Sequence, residues 1–306
     1  MFVSLVTARA AARTGGMQMR MSGCGIAAIV ALVLVSATPA FAQFDLTGSW
    51  GARDQKTGLN RIAVDYTGHP LNEDGRTWAL TYSAAQLSAV ERQCHGWPYF
   101  YLAIGPFGMK IWSDVELVRG ETISYTIGAW EDRAPTTIWM DGRPHPGPSA
   151  PHDRAGFTTG KWEGNTLVTT TTHIKSGLLG RNGIPNSDHV VVTTRFTRHD
   201  SLLSVIEIID DPIYLAEPMI ATKMYELSAA ASSPIGPPCV PAYEGNAGDG
   251  KVPHFLPETN PYVDELTKEF HVPREATLGF PETLYPEYRK KIKDTYVRPG
   301  KVGGSR

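Results

Sequence analysis

Val190-Val191-Val192-Thr193-Thr194-Arg195-Phe196-Thr197-Arg198-His199-Asp200-Ser201-Leu202-Leu203-Ser204-Val205-Ile206-Glu207-Ile208-Ile209 decides the fold. Two runs rich in β-branched residues flank a His199-Asp200 turn, the pattern of a β-hairpin. Upstream, Phe157 to Trp162, then Glu163-Gly164-Asn165, then Thr166 to Ile174 form a second hairpin around a Gly-containing turn. Ile123, Tyr125 and Ile127 alternate with Thr122, Ser124 and Thr126, the period of two of a half-buried strand. Met109 to Leu117 alternates in the same way, and Met219 to Leu227 reads as a further strand. With Leu46–Trp50, Arg61–Tyr66, Tyr99–Ile104 and Thr136–Met140, about ten strands are expected, and only residues 83–93 look helical in this half. Short consecutive strands without alternating helices predict an all-β antiparallel sheet that closes on itself as a barrel over residues 43–230.

Composition agrees. The 306 residues include 30 Gly and 23 Pro, above the usual share and consistent with many turns, while 42% hydrophobic content excludes disorder. A net charge of −2 lacks the basic surface that a nucleic-acid partner requires. Residues 231–306 are Pro-rich, which bars continuous strands. They are read as a C-terminal arm wrapping the barrel, with short helices at Tyr262–Phe270 and Pro286–Thr295. Pro261 suits the first turn of the former, where its missing N–H costs nothing.

Arg9, Arg13 and Arg20 precede the apolar run Ile26–Val35, which is followed by Ala40-Phe41-Ala42. A basic start, a short apolar core and a small-x-small site predict a signal peptide over residues 1–42, cleaved before Gln43. The core is about half the length of a membrane span. Met17, Met19 and Met21 are alternative starts. Loss of the three Arg takes the net charge from −2 to −5, and no later stretch is long enough to span a bilayer. The expected location is a bacterial periplasm or the medium. Cys24 leaves with the leader; Cys94 and Cys239 are then expected to pair as a disulfide in an oxidising compartment.

Asp45-Leu46-Thr47-Gly48-Ser49-Trp50 resembles the Gly-x-Trp opening of a lipocalin-type barrel. Ile138-Trp139-Met140-Asp141-Gly142-Arg143-Pro144-His145-Pro146, Gly160 to Val168 (GKWEGNTLV), Arg181 to Asp188 (RNGIPNSD) and Asp210-Asp211-Pro212-Ile213-Tyr214-Leu215 are similar to a large family of uncharacterised secreted bacterial β-rich proteins. More loosely, the chain resembles cofactor-independent decarboxylases of lignin-derived aromatic dimers. That second resemblance implies a small aromatic or hydrophobic ligand and no cofactor.

Asp141, Arg143 and His145 alternate on an extended chain and share a direction. Asp141 is positioned to fix an imidazole tautomer, Arg143 to hold a carboxylate through its planar fork, and His145 to move a proton. The alternative pairs Arg143 with Asp141 inside a turn. His173 ends a threonine-rich strand and precedes Lys175, Arg181 and Asn182, candidates for a barrel-mouth site; the alternative is a structural histidine. Glu207 lies between apolar neighbours and is expected either to pair with Arg195 or Arg198 or to titrate high as a general acid. Asp211 and Tyr214 are candidate rim groups, or a turn cap. Trp112 is a candidate aromatic lining for the cavity. His145, His152 and Asp153 do not match a metal-ligand spacing, so no metal is expected; zinc-protease, phosphate-loop, dinucleotide and serine-elbow signatures are absent. Three readings follow: a cofactor-free lyase using His145, His173, Asp141, Glu207 and Tyr214 in a barrel cavity, a periplasmic carrier of a hydrophobic molecule, or a structural envelope protein.

Overall fold

Among the described residues nine strands close a barrel, in the order Gly48–Ala52, Met219–Leu227, Leu202–Asp210, Val191–His199, Thr166–Thr172, Phe157–Glu163, Thr136–Trp139, Thr122–Gly128, Met109–Val115 and back to the first. The computed structural model describes residues 45–53, 66–83, 93–105, 108–128, 135–180, 182–228, 240–241, 255–271 and 273–293. The strands are β1 (Gly48–Ala52), β2 (Met109–Val115), β3 (Thr122–Gly128), β4 (Thr136–Trp139), β5 (Phe157–Glu163), β6 (Thr166–Thr172), β9 (Val191–His199), β10 (Leu202–Asp210) and β11 (Met219–Leu227). A separate two-stranded sheet, β7 (Gly177–Leu178) with β8 (Pro185–Asn186), sits in the connection from β6 to β9. The barrel pairs are antiparallel except β4 with β5, which run parallel. The hairpin that decided the fold forms as expected, with Leu202 opposite His199 and Glu207 opposite Thr194. The leader, the expected strand Arg61–Tyr66 apart from Tyr66, most of the expected helix 83–93, Arg181 and Cys239 lie outside the described residues.

Alternation fills the interior. Inward positions give one apolar cluster that includes Trp50, Met109, Ile111, Tyr125, Ile138, Leu167, Phe196, Leu203, Val205 and Tyr225. Gly48 opens β1 at φ 141°, and a Cβ there would stand 2.7 Å from the Leu227 side chain, so the barrel closes at this seam only over glycine. Trp50 is fully buried, and its indole N–H donates to the Leu46 carbonyl at 2.9 Å.

One expected strand is different. Tyr99–Ile104 was predicted to be extended because its run of aromatic and aliphatic residues fits a core strand. Instead Tyr101–Ile104 is a single helical turn with all four residues buried. It enters the lumen. The Tyr225 hydroxyl donates to the Leu102 carbonyl at 2.5 Å, the Ala103 N–H donates to Glu207 Oε2 at 3.2 Å, and the Lys223 ammonium donates to the Gly105 carbonyl. A short apolar run carries no periodicity that separates strand from helix; here the polar groups of the barrel wall satisfy the backbone of the plug.

A second cluster caps the end where β6 and β10 finish and β9 and β11 begin. It joins Tyr66, Leu71, Trp97, Phe100, Ile174, Leu179, Ile184, Val192, Ile209, Val263 and Phe280. The helix Glu73–Leu80, which the sequence pattern did not reveal, contributes Ala79; its N-cap Asn72 accepts from the Gly75 N–H. The arm supplies the helices Pro261–Phe270 and Pro286–Lys293, close to expectation. Asn260 donates to the Leu80 and Tyr82 carbonyls, and Phe280 stacks on Tyr66 with ring centroids 5.1 Å apart. No helix among the described residues is long and apolar enough to cross a membrane.

Candidate functional site

A parallel strand pair cannot be joined by a tight turn, so the chain between β4 and β5 must cross over. That crossover, residues 140–156, carries the DGRPHP segment and lies over the outer face of β5 and β6. On β5 and β6, Thr158 and Thr171 point inward, are fully buried, and bond to each other at 2.9 Å. Their neighbours Thr159 and Thr172 point outward. His145 meets both: Nδ1 lies 2.7 Å from the Thr172 hydroxyl and Nε2 2.8 Å from the Thr159 hydroxyl. The Thr172 hydroxyl is also 2.8 Å from Nδ1 of His173, whose Nε2 is 3.0 Å from the Gly147 carbonyl. His152 stands beside His173, with ring centroids 4.9 Å apart. Burial first, then the charge of His173, hold His145 below the ordinary imidazole pKa. His173 adopts φ 58°, a left-handed backbone that is uncommon for a residue with a Cβ. Two of the histidines selected from sequence therefore meet, joined by one hydroxyl.

Arg143 is adjacent. Its guanidinium lies 3.5 Å above the Trp139 ring, and Trp139 is the register partner of Thr159. Asp141 grips it through Nε and Nη2, at 2.9 and 2.5 Å. This hydrogen-bonded pairing lowers the Asp141 carboxyl pKa and raises that of Arg143. The carboxylate expected to orient an imidazole orients the guanidinium instead, because the two are two residues apart in one turn and a fork-shaped cation outcompetes a neutral ring. Nη1 of Arg143 is the edge that Asp141 does not use.

The other candidates fall elsewhere. Glu207 is fully buried in the lumen against the helical plug, away from His145 and His173. Neither expected arginine reaches it: Arg195 turns outward to Glu163 at 3.4 Å, and Arg198 donates to the Asp200 and Asp45 carbonyls. Strand alternation turns Arg195 away, since Thr194 shares the inner face with Glu207, whereas Arg198 is too far along the hairpin, opposite Leu203. Tyr99 joins Glu207 in this inner polar belt. Its hydroxyl is 3.2 Å from that of Thr169, and its pKa is raised by burial and then by the Glu207 charge.

Asp211 is a turn cap. Fully buried, it accepts from the Ser187 N–H at 2.6 Å, the Ser187 hydroxyl at 2.8 Å, and the N–H groups of Ile213 and Tyr214. These bonds tie the RNGIPNSD segment to the DDPIYL segment, a structural reason for both. Tyr214 sits in that turn with its ring beside that of Trp78, 6.5 Å between centroids. Asn182 is buried, accepts from the Ile184 N–H and donates to Nε2 of His69 at 3.4 Å. It holds an imidazole in the cap and does not face a barrel mouth. Trp112 packs its ring on Gly128 at the barrel exterior and does not line the lumen. No group of three His, Cys, Asp or Glu among the described residues is arranged to hold a metal ion.

Thr159, Thr172, Trp139 and His69 carry contacts at these sites that the sequence pattern did not single out. The signal for Thr172 was present: in the run Thr169–Thr172 ending at His173, alternate hydroxyls share the outer face. No family model, curated protein or solved structure matches this chain.

Proposed function

We propose that this protein is an exported acid–base enzyme of lyase type, acting on an aromatic carboxylate at the outer rim of the barrel. The supporting observation is the hydroxyl of Thr172 placed between two imidazoles, 2.7 Å from one and 2.8 Å from the other. Paired imidazoles coupled through a hydroxyl can take a proton from one atom of a bound molecule and return it to another. Arg143, held in orientation by Asp141 and Trp139, offers its remaining edge to a carboxylate. In a decarboxylation, the bond to the carboxylate carbon breaks, CO2 leaves, and the electron pair stays on the organic fragment. His145 takes a phenolic proton, and the resulting imidazolium returns it to the atom that receives the pair. The proton balance closes within the site. Export would place Cys94 and Cys239 in a compartment where their pairing is favoured.

The purified protein mixed with a panel of phenolic carboxylates should release CO2, and His145→Ala should slow release by about a hundredfold or more. Absence of turnover across the panel would remove the lyase reading. The filled lumen favours a second reading, an exported scaffold. Trp50, Phe196 and Tyr225 occupy the space together with the Tyr101–Ile104 turn, where a lipocalin-type carrier holds its ligand. A protein that neither turns over nor binds any of the panel fits that scaffold.

A further inference from the structure

The hydrogen-bond chain at the rim has a direction, and its direction singles out one reactive atom. It begins at Gly147. A carbonyl oxygen only accepts, so Nε2 of His173, 3.0 Å away, must carry a proton; without one, two lone pairs would face each other. A neutral His173 then has a bare Nδ1, whose partner at 2.8 Å is the Thr172 hydroxyl, which must donate. That hydroxyl has a single proton. Toward His145 it can therefore only accept, so the proton of His145 is on Nδ1, 2.7 Å away. Nε2 of His145 is left bare and accepts from Thr159 at 2.8 Å. Each step follows from a donor count, and the carbonyl of the crossover fixes the first.

We infer that Thr172 is the positioning residue that locks His145 into its Nδ1–H tautomer, making Nε2 of His145 the atom where the site gains and loses its proton. The consequence for catalysis rests on the acid–base reading above; the tautomer pattern itself does not. An acidic hydroxyl of a bound molecule replaces the Thr159 hydroxyl at Nε2 and delivers its proton there. The charge can then pass inward without any group moving far. His145 Nδ1–H gives its proton to Thr172, Thr172 gives its own to His173 Nδ1, and His145 is left neutral with the new proton on Nε2. One added proton keeps every bond in the chain. A second would aim two N–H donors from two cations at a single oxygen.

The test needs no substrate. In the 15N-labelled protein at a pH above the imidazole range, ring-nitrogen shifts should show His145 protonated at Nδ1 and His173 protonated at Nε2. Thr172→Ser, which retains the hydroxyl, should keep this pattern and rescue most of the turnover that Thr172→Val loses. Thr172→Val should release His145 from the Nδ1–H form and cut kcat about tenfold or more with little change in KM. Finding His145 protonated at Nε2 in the parent, or the same tautomers in Thr172→Ser and Thr172→Val, would overturn the inference. Correct tautomers without turnover on any phenolic carboxylate would leave the inference standing and dispose of the lyase reading alone.

Discussion

His69 shows how a single buried side chain sets a pH response. It is 3% exposed in the cap, and burial lowers its pKa from 6.5 to about 4. Asn182 fixes its orientation: the Ile184 N–H occupies Oδ1, so the amide N–H faces Nε2 of the imidazole. The native chain therefore keeps His69 neutral where the unfolded chain protonates it. Above pH 6.5 the two states bind protons equally at this site. As pH falls from 6.5 toward 4, the unfolded state gains a proton that the folded state refuses, and stability declines. The loss should approach about 3 kcal/mol by pH 4. Urea unfolding across this window should show it, and His69→Gln should flatten the slope; parallel profiles in parent and variant would mean that another group titrates. The residue scale also shows what was legible. His145, His173 and Arg143 were visible as proton-moving and anion-binding types; the two imidazoles share the Thr172 hydroxyl, and Arg143 lies over the Trp139 ring. The Asp141 partner of Arg143 was legible as a pair within one turn, but the hydroxyl partners of the imidazoles were not, because a loop crossing over the barrel has no periodicity to say which strand face it meets.

At the scale of elements, the hairpins were legible because burial imposes a period of two: β10 alternates half-buried and buried residues from Leu202 to Ile209. The parallel β4–β5 pair left no such trace, since direction is a property of the connection and residues 140–156 contain no helix that would announce a crossover. The Tyr101–Ile104 turn was hidden for the opposite reason: its residues suit any buried element, and only the barrel wall decides. Glu207, Lys223 and Tyr225 each direct a polar atom at its backbone. Removing one of these anchors should weaken the plug without emptying the lumen. Tyr225→Phe keeps the ring and deletes the donor to the Leu102 carbonyl, so stability should fall by about 1–2 kcal/mol. A urea midpoint unchanged from the parent would mean that the helical turn is held by apolar packing alone.

For the whole of the described chain, the barrel and the arm are one stability problem. The barrel is closed at its capped end by residues from distant parts of the sequence. Tyr66 lies between Ala79, whose carbonyl accepts from its hydroxyl at 2.6 Å, and Phe280, which stacks on its ring at an interplanar angle of 6°. Arg76 then lies over Phe280 at 4.8 Å and pairs with Glu282 at 2.7 Å, while the Gly68 N–H donates to the Phe280 carbonyl and the Thr283 hydroxyl. Val263 and Phe280 are each at most 2% exposed, so the arm contributes core, not decoration. Burying two such side chains stabilises by about 4 kcal/mol. That is a large share of the roughly 5–15 kcal/mol typical of a folded domain. A chain ending before Leu256 should therefore unfold at a clearly lower urea concentration, with Tyr66 and Ala79 newly open to solvent and a raised tendency to associate. An unshifted transition would show that the barrel closes by its own strands, and that the Pro-rich segment merely rests on a cap already complete.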